Sequence, residues 1–157
     1  SSAVGAGPFP TESDDEQIQI IRGTGEHVDD EFGARTGRSR RLGWFDAPVV
    51  KYTNLINGFD ELALCKIDKL DDLPEIKICV GYKLDGELLD HYPNTDQLER
   101  VQPVYKVMPG WMEDTTGIRK IEDLPDDAKN YIKTSEDLTD TKICYVGVGT
   151  VFIYVSL

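Results

Sequence analysis

Leu73-Pro-Glu-Ile-Lys-Ile-Cys-Val-Gly-Tyr-Lys-Leu-Asp-Gly-Glu-Leu-Leu89 carries the clearest local instruction in this 157-residue sequence. Ile76, Ile78, Val80 and Tyr82 alternate with Lys77, Cys79 and Gly81, the period of two that turns one side of a strand toward a core. Asp85-Gly86 then predicts a tight hairpin returning through Leu88-Leu89, because both residue types tolerate the left-handed backbone of a two-residue loop. Upstream, Leu62–Ile67 reads as a buried strand. Before it, Asp46-Ala47-Pro48 predicts a helix start. Val49, Tyr52, Leu55 and Ile56 follow at helical spacing, and Asn57-Gly58 closes the helix.

Downstream, Pro103–Met108 predicts another strand, ended by Pro109-Gly110. Leu124-Pro125-Asp126-Asp127 opens a helix with acidic residues at its positive end, and Ala128, Tyr131, Ile132 and Leu138 give it an apolar stripe. Ile143–Val148 predicts a last buried strand. Near the beginning, residues 1–8 form a small-residue loop, and Gln17–Arg22 fits a short strand or a helix turn, ended by Gly23-Thr-Gly25. Strands and helices interleave, so the expected class is α/β, a mixed sheet with helices and a β-hairpin.

Composition narrows the function. With 17 Lys and Arg against 29 Asp and Glu, the net charge is −12, and the average field repels nucleic acids and anionic lipid. No apolar run reaches the length of a membrane span, and residues 1–20 lack the basic start and apolar stretch of a secretory signal. The expectation is a cytoplasmic protein without nucleic-acid or membrane partners. Cys65, Cys79 and Cys144 lie far apart in apolar runs, the pattern of buried, reduced thiols.

Against that acidic background, Glu31-Phe-Gly-Ala-Arg-Thr-Gly-Arg-Ser-Arg-Arg41 concentrates four of the seven arginines. A guanidinium fork pairs bidentately with carboxylate or phosphate. Gly33 and Gly37 let the backbone turn and bring its N–H groups near an anion. The loop is suited to a small anionic ligand; equally, it reads as a basic surface loop pairing with the acidic surface around it. The spacing is not that of a phosphate-binding GxxxxGK[ST] loop.

Lys66-Ile67-Asp68 ends an apolar run. An Asp carboxylate can accept both N1–H and the exocyclic N–H of guanine, and a Lys stem can lie over the base. At i and i+2 on a strand end the two side chains point the same way; a charged strand terminus is the other reading. Gly147-Val148-Gly149 permits close approach of a base or phosphate, or is simply a turn. His27 and His91 sit in polar segments as surface residues. Trp44, Phe45, Trp111 and Phe9 read as core or loop anchors. No catalytic set and no metal-ligand spacing are visible.

Taken in order, these pieces resemble the C-terminal part of adenylosuccinate synthetases. The resemblance is carried by Val4-Gly-Ala-Gly-Pro-Phe-Pro-Thr-Glu12, Glu31-Phe-Gly-Ala-Arg-Thr-Gly-Arg-Ser-Arg-Arg-Leu-Gly-Trp-Phe-Asp46, Ile56-Asn-Gly58, Lys66-Ile-Asp68 and Leu73-Pro-Glu-Ile-Lys-Ile-Cys-Val80. It continues through Pro103-Val-Tyr105, Met108-Pro-Gly-Trp111, Leu124-Pro125, Asn130-Tyr-Ile132 and Tyr145-Val-Gly-Val-Gly149. It covers residues 4–149 with order and spacing kept.

The resemblance implies the C-terminal portion of a P-loop-like synthetase fold over residues 1–157, with residues 150–157 an atypical tail. It implies an enzyme that joins IMP and L-aspartate with GTP and Mg²⁺, giving adenylosuccinate, GDP and phosphate in AMP biosynthesis. GTP phosphorylates the 6-oxygen of IMP, and the aspartate amine displaces that phosphate. Residues Ala34, Arg35, Thr36, Gly37, Arg38, Ser39 and Arg40 then correspond to the aspartate loop. Arg38 is shared with the IMP site, Arg40 also reaches GTP, and Val4 meets IMP through its backbone. Lys66, Ile67 and Asp68 correspond to the guanine-reading segment, and Gly147, Val148 and Gly149 to the loop closing over the base.

In the family the phosphate loop, its catalytic aspartate, the catalytic histidine and the Mg²⁺ ligands all precede this stretch. Catalytic and metal residues are therefore expected outside it, and the chain by itself is expected to be inactive. A homodimer is implied for the full-length enzyme. Arg35 departs from the family, which carries Thr there, and Thr150 departs from Pro. Those departures leave a non-catalytic guanine-nucleotide or anion-binding module as the alternative; a module binding an acidic protein through its arginines is a third reading.

Overall fold

The computed structural model describes residues 1–27 and 30–155; of the expected atypical tail, Ser156 and Leu157 lie outside the described residues. The elements, in chain order, are β1 (Ser2–Ala3), α1 (Glu16–Arg22), β2 (Arg41–Leu42), β3 (Phe45–Asp46), α2 (Ala47–Asn57) and β4 (Glu61–Leu64). A 3-10 turn (Ile67–Leu70) precedes β5 (Glu75–Leu84), β6 (Glu87–Leu88), α3 (Thr95–Leu98) and β7 (Gln102–Pro109). A second 3-10 turn (Ile121–Asp123), α4 (Asp126–Thr139), β8 (Lys142–Val148) and β9 (Val151–Tyr154) complete the described chain. The class is α/β with mixed pairing, as the sequence pattern implies.

The chain divides into two compact units, residues 1–46 with 79–106, and residues 47–78 with 107–157. In the first, β1 and β2 pair antiparallel with Ser2 opposite Leu42 and Ala3 opposite Arg41. The hairpin of β5 and β6 sets Lys83 opposite Leu88 and Leu84 opposite Glu87. Its loop is Asp85-Gly86, with φ of 51° and 92°, the doubly left-handed turn that Asp-Gly favours. Cys79, Tyr82 and Val101 form a core flanked by Leu84, Leu89, Tyr92 and Tyr105. Tyr82 sets its ring edge-on to Tyr92 and donates from its hydroxyl to Asp46 at 2.6 Å. Burial and that carboxylate push the Tyr82 phenol far above its ordinary value, and burial pushes the Cys79 thiol up to about 12.

The Gln17–Arg22 ambiguity resolves as helix. Asp15 caps α1 by accepting the Ile18 amide at 2.9 Å, and Gly23 ends it at φ 75°. Val80 departs from the expected alternation: it is exposed, whereas Cys79 beside it is fully buried.

In the second unit, β4 lies parallel to β8, and β9 returns antiparallel along β8. α2 and α4 pack on each other. α2 ends where Asn57-Gly58 indicates, with Gly58 at φ 65° donating to the Asn54 carbonyl. α4 begins on Asp126 and Asp127, and buries Ala128, Tyr131 and Ile132. Its buried hydroxyls are satisfied along the helix, Ser135 donating to the Tyr131 carbonyl and Thr139 to that of Ser135.

One strand is shorter than its apolar run implies. β4 stops at Leu64, Lys66 takes a left-handed backbone at φ 59°, and Ile67 opens the 3-10 turn. The parallel register with β8 runs only to Leu64 opposite Val146, so no ladder holds the following residues extended. Cys65 sits at that break and is exposed, correcting the expectation of a third buried thiol; Cys79 and Cys144 are buried. Among the described residues, no helix is long and apolar enough to cross a membrane.

Candidate functional site

In the first unit, the segment around the arginines is closed by its own neighbours. Phe32 and Ser39 form an antiparallel bridge. The Gly33 amide donates to the Arg38 carbonyl and that of Gly37 to the Gly33 carbonyl, both at 2.8 Å. Gly37 sits at φ 61°, a backbone that any side chain would strain. The result is a short projecting loop whose Ala34, Arg35, Thr36, Gly37, Arg38 and Ser39 are all exposed.

The four arginines divide by their partners. Arg41 is committed: it grips Glu12 with two bonds of 2.9 and 2.6 Å, donates to the carbonyls of Gly5 and Gly7, and lies over the Phe9 ring. That bidentate contact holds the Glu12 carboxyl below its usual range. Arg40 is half committed, its Nη1 lying 3.3 Å from buried Glu31. The side chains of Arg35 and Arg38 make no ion pair among the described residues. Val4 is exposed and follows Ala3, whose strand partner is Arg41. The first unit thus brings Val4 to the base of the arginine loop.

In the second unit, the segments expected to read guanine and to close over it come together. β4 and β8 are parallel, so Cys65-Lys66 leaves one strand beside Gly147, near the end of the other. A Cβ on Gly147 would lie 3.3 Å from both the Cys65 Cα and the Lys66 nitrogen. Only a glycine lets these backbones approach without displacement. The carboxyl ends of parallel strands are where open α/β sheets hold ligands. Gly149, at φ 55°, makes the turn between Val148 and Val151, and Val148 is fully buried.

Lys66 and Asp68 are not aimed by a strand pleat, as their i, i+2 spacing implies. The left-handed Lys66 and the 3-10 turn set their directions instead. One carboxylate oxygen of Asp68, Oδ1, is buried with no hydrogen-bond partner, an unusual state for a native polar atom.

A third set of residues carries no local sequence signal. Asp71 is buried and accepts from the Trp111 indole N–H at 2.6 Å, the Thr115 amide at 2.7 Å and the Thr115 hydroxyl at 2.9 Å. Desolvation raises its carboxyl above the ordinary range despite these donors. Thr116 packs on Gly149, and Asp114 accepts from its hydroxyl and amide. Gly110 leads into this segment against the Leu73 carbonyl, where any Cβ would collide.

A family model described as adenylosuccinate synthetase matches residues 1–151. The chain belongs to the adenylosuccinate synthetase family. It is 54% identical over 149 residues to adenylosuccinate synthetase 1 of Methanosarcina acetivorans, covering 95% of this chain and 35% of that one. It is 47% identical over 150 residues to the Streptococcus gordonii synthetase, covering 95% and 34%. The fully ligated adenylosuccinate synthetase of Plasmodium falciparum superposes with a TM-score of 0.90 at 37% identity, over 99% of this chain and 38% of that one. The chain spans about a third of the length of the curated relatives it matches.

Among the described residues of this synthetase-family chain, no three His, Cys, Asp or Glu side chains gather to hold a metal ion. His27 and His91 are exposed, the latter bonded to Asp90 at 2.8 Å.

Proposed function

We propose that this chain serves the GTP-dependent joining of IMP and L-aspartate to adenylosuccinate, supplying the aspartate loop and the guanine-reading segment. The observation that carries the reading is family membership over residues 1–151. Two features of the residues support it. Among the described residues, Arg35 and Arg38 stand exposed with no ion pair, as a loop awaiting an anion requires. Asp68 Oδ1 is a buried acceptor with no donor among the described residues, an orphan that a guanine N–H would satisfy on reaching that oxygen.

In this reading Arg38 takes a carboxylate of aspartate and, with the Val4 backbone, the nucleotide IMP. Arg40, whose pair with Glu31 uses only Nη1, reaches GTP. Ala34, Thr36, Gly37 and Ser39 shape the loop. Asp68 accepts the N1–H and amino N–H of guanine, the Lys66 stem covers the ring, and Ile67, buried, seats the turn. Gly147, Val148 and Gly149 close on the base. Proton transfer and Mg²⁺ chemistry belong to residues of the family lying before this region, so this chain by itself turns over no substrate. Cytoplasmic location and a homodimer of the full-length protein complete the reading.

Titration with GTP and with ATP tests it. The chain should bind GTP in preference, and Asp68→Asn should erase the preference, since an amide cannot accept both guanine donors. An unchanged ratio in Asp68→Asn overturns the guanine assignment. Phosphate release from the pure chain with GTP, IMP, aspartate and Mg²⁺ overturns the proposed inactivity. Arg35 in place of the family's Thr favours a second reading, a non-catalytic nucleotide or anion module; that protein binds GTP and shows no response to aspartate.

A further inference from the structure

We propose that Asp71 is a positioning residue for guanine recognition, fixing the turn that carries Asp68 to the segment that backs Gly149. This rests on the guanine reading of Asp68 given above. The Oδ1 of Asp68 has no hydrogen bond to orient it, so the aim of that oxygen depends on the backbone of its turn. That turn is closed by the Asp71 amide donating to the Asp68 carbonyl at 3.2 Å. The Asp71 carboxylate then reaches across 40 and 44 residues of chain to the Trp111 indole and to Thr115. Thr116 follows directly, its own hydroxyl and amide fixed by Asp114, and packs where a Cβ on Gly149 would lie 3.5 Å from it.

The connection is continuous: Asp68, Asp71, Thr115, Thr116, Gly149. Both oxygens of Asp71 serve as acceptors. An amide in its place would offer one acceptor and present N–H to N–H at the other. Burying a charge that apolar packing could replace is costly; here it holds two separate segments in one arrangement.

The test compares Thr115→Val, which deletes the hydroxyl at nearly constant shape, with Thr115→Ser, which keeps it. GTP and ATP are titrated into each full chain by calorimetry, and far-ultraviolet circular dichroism reports folding. Thr115→Val should lower the GTP-to-ATP affinity ratio about tenfold with ATP affinity unmoved, the size of one lost hydrogen bond; Thr115→Ser should keep the ratio. Equal weakening of both nucleotides marks a merely structural role and overturns the proposal, as does an unchanged ratio. Should Thr115→Val not fold, Trp111→Phe, which removes a single donor, decides by the same readout. A chain with no guanine preference before substitution overturns the guanine reading and this inference together. A preference that Asp68→Asn abolishes and Thr115→Val spares overturns this inference only.

Discussion

The 33–38 loop is closed by bonds that never leave residues 31–40, and it turns its charged side chains outward. The 66–70 turn follows the end of the β4–β8 ladder and is closed onto Asp71, whose own donors lie 40 and 44 residues away; it buries Asp68 Oδ1 while Lys66 stays exposed. The first region carries charge and little structure. The second is a structural junction that also carries charged side chains. A charged loop of the first kind tolerates change because little depends on it; a junction of the second kind cannot be altered without disturbing several segments.

The largest expected effect follows from that contrast. Asp71→Ala strands the Trp111 indole N–H and the Thr115 amide in the interior, at about 3 kcal/mol of stability or more. Arg38→Ala, whose side chain is exposed and makes no ion pair among the described residues, should stay within about 0.5 kcal/mol of the parent. Urea unfolding midpoints read both, and comparable losses would break the distinction between the regions.

Arg38 and Arg41 sharpen it within one region. Arg38→Ala should weaken aspartate binding at least about tenfold, the worth of a charge-assisted pair, without altering the fold. Arg41→Ala should do the reverse. It releases Glu12, the Gly5 and Gly7 carbonyls and the Phe9 ring, so amide hydrogen exchange across residues 5–12 should accelerate while ligand affinity changes less. If Arg41→Ala costs more aspartate affinity than Arg38→Ala, the assignment of one arginine to binding and the other to structure is wrong.

How far each region is legible follows the same line. The hairpin at Asp85-Gly86, the α2 terminus at Asn57-Gly58 and the acidic start of α4 are set by residues within a few positions, and the sequence names them all. Cys65 and Lys66 are different. Their apolar lead-in, Leu62-Ala63-Leu64, looks like a strand that continues, but a strand ends where its ladder ends, and the residues that set that ladder lie about 80 residues downstream. The four arginines read as one anion site because charge is visible in sequence. That Arg41 is spent on Glu12, and Arg40 partly on Glu31, is not visible, because those pairings depend on which strands meet. Trp111 reads as an anchor, but its grouping with Asp71 and Thr115 has no signal: an Asp in a turn and a Thr far along the chain are unremarkable until folding brings them within 3 Å of one another.

The smallest effect expected is electrostatic, and its sign differs between the regions. Arg41 holds the Glu12 carboxyl below its ordinary value. Folding therefore releases a proton there, so this stabilisation is present above the ordinary Glu range and is lost as pH falls through the lowered value. Asp71 runs the other way. Desolvation outweighs its donors and lifts its carboxyl above the ordinary range, so the folded chain binds that proton more tightly than the unfolded one. Its contribution is greatest below the ordinary Asp value and declines as pH rises through the raised one. Carbon-13 carboxyl titration should find Glu12 protonating later than a free Glu on acidification and Asp71 earlier than a free Asp. Arg41→Ala should return Glu12 toward its ordinary value without moving Asp71. Trp111→Phe, by deleting one donor to the carboxylate, should raise Asp71 further and leave Glu12 in place. Glu12 and Asp71 moving together in either variant would mean that one long-range field governs both carboxyls, and the contrast between a locally held region and a remotely held one would not extend to their charges.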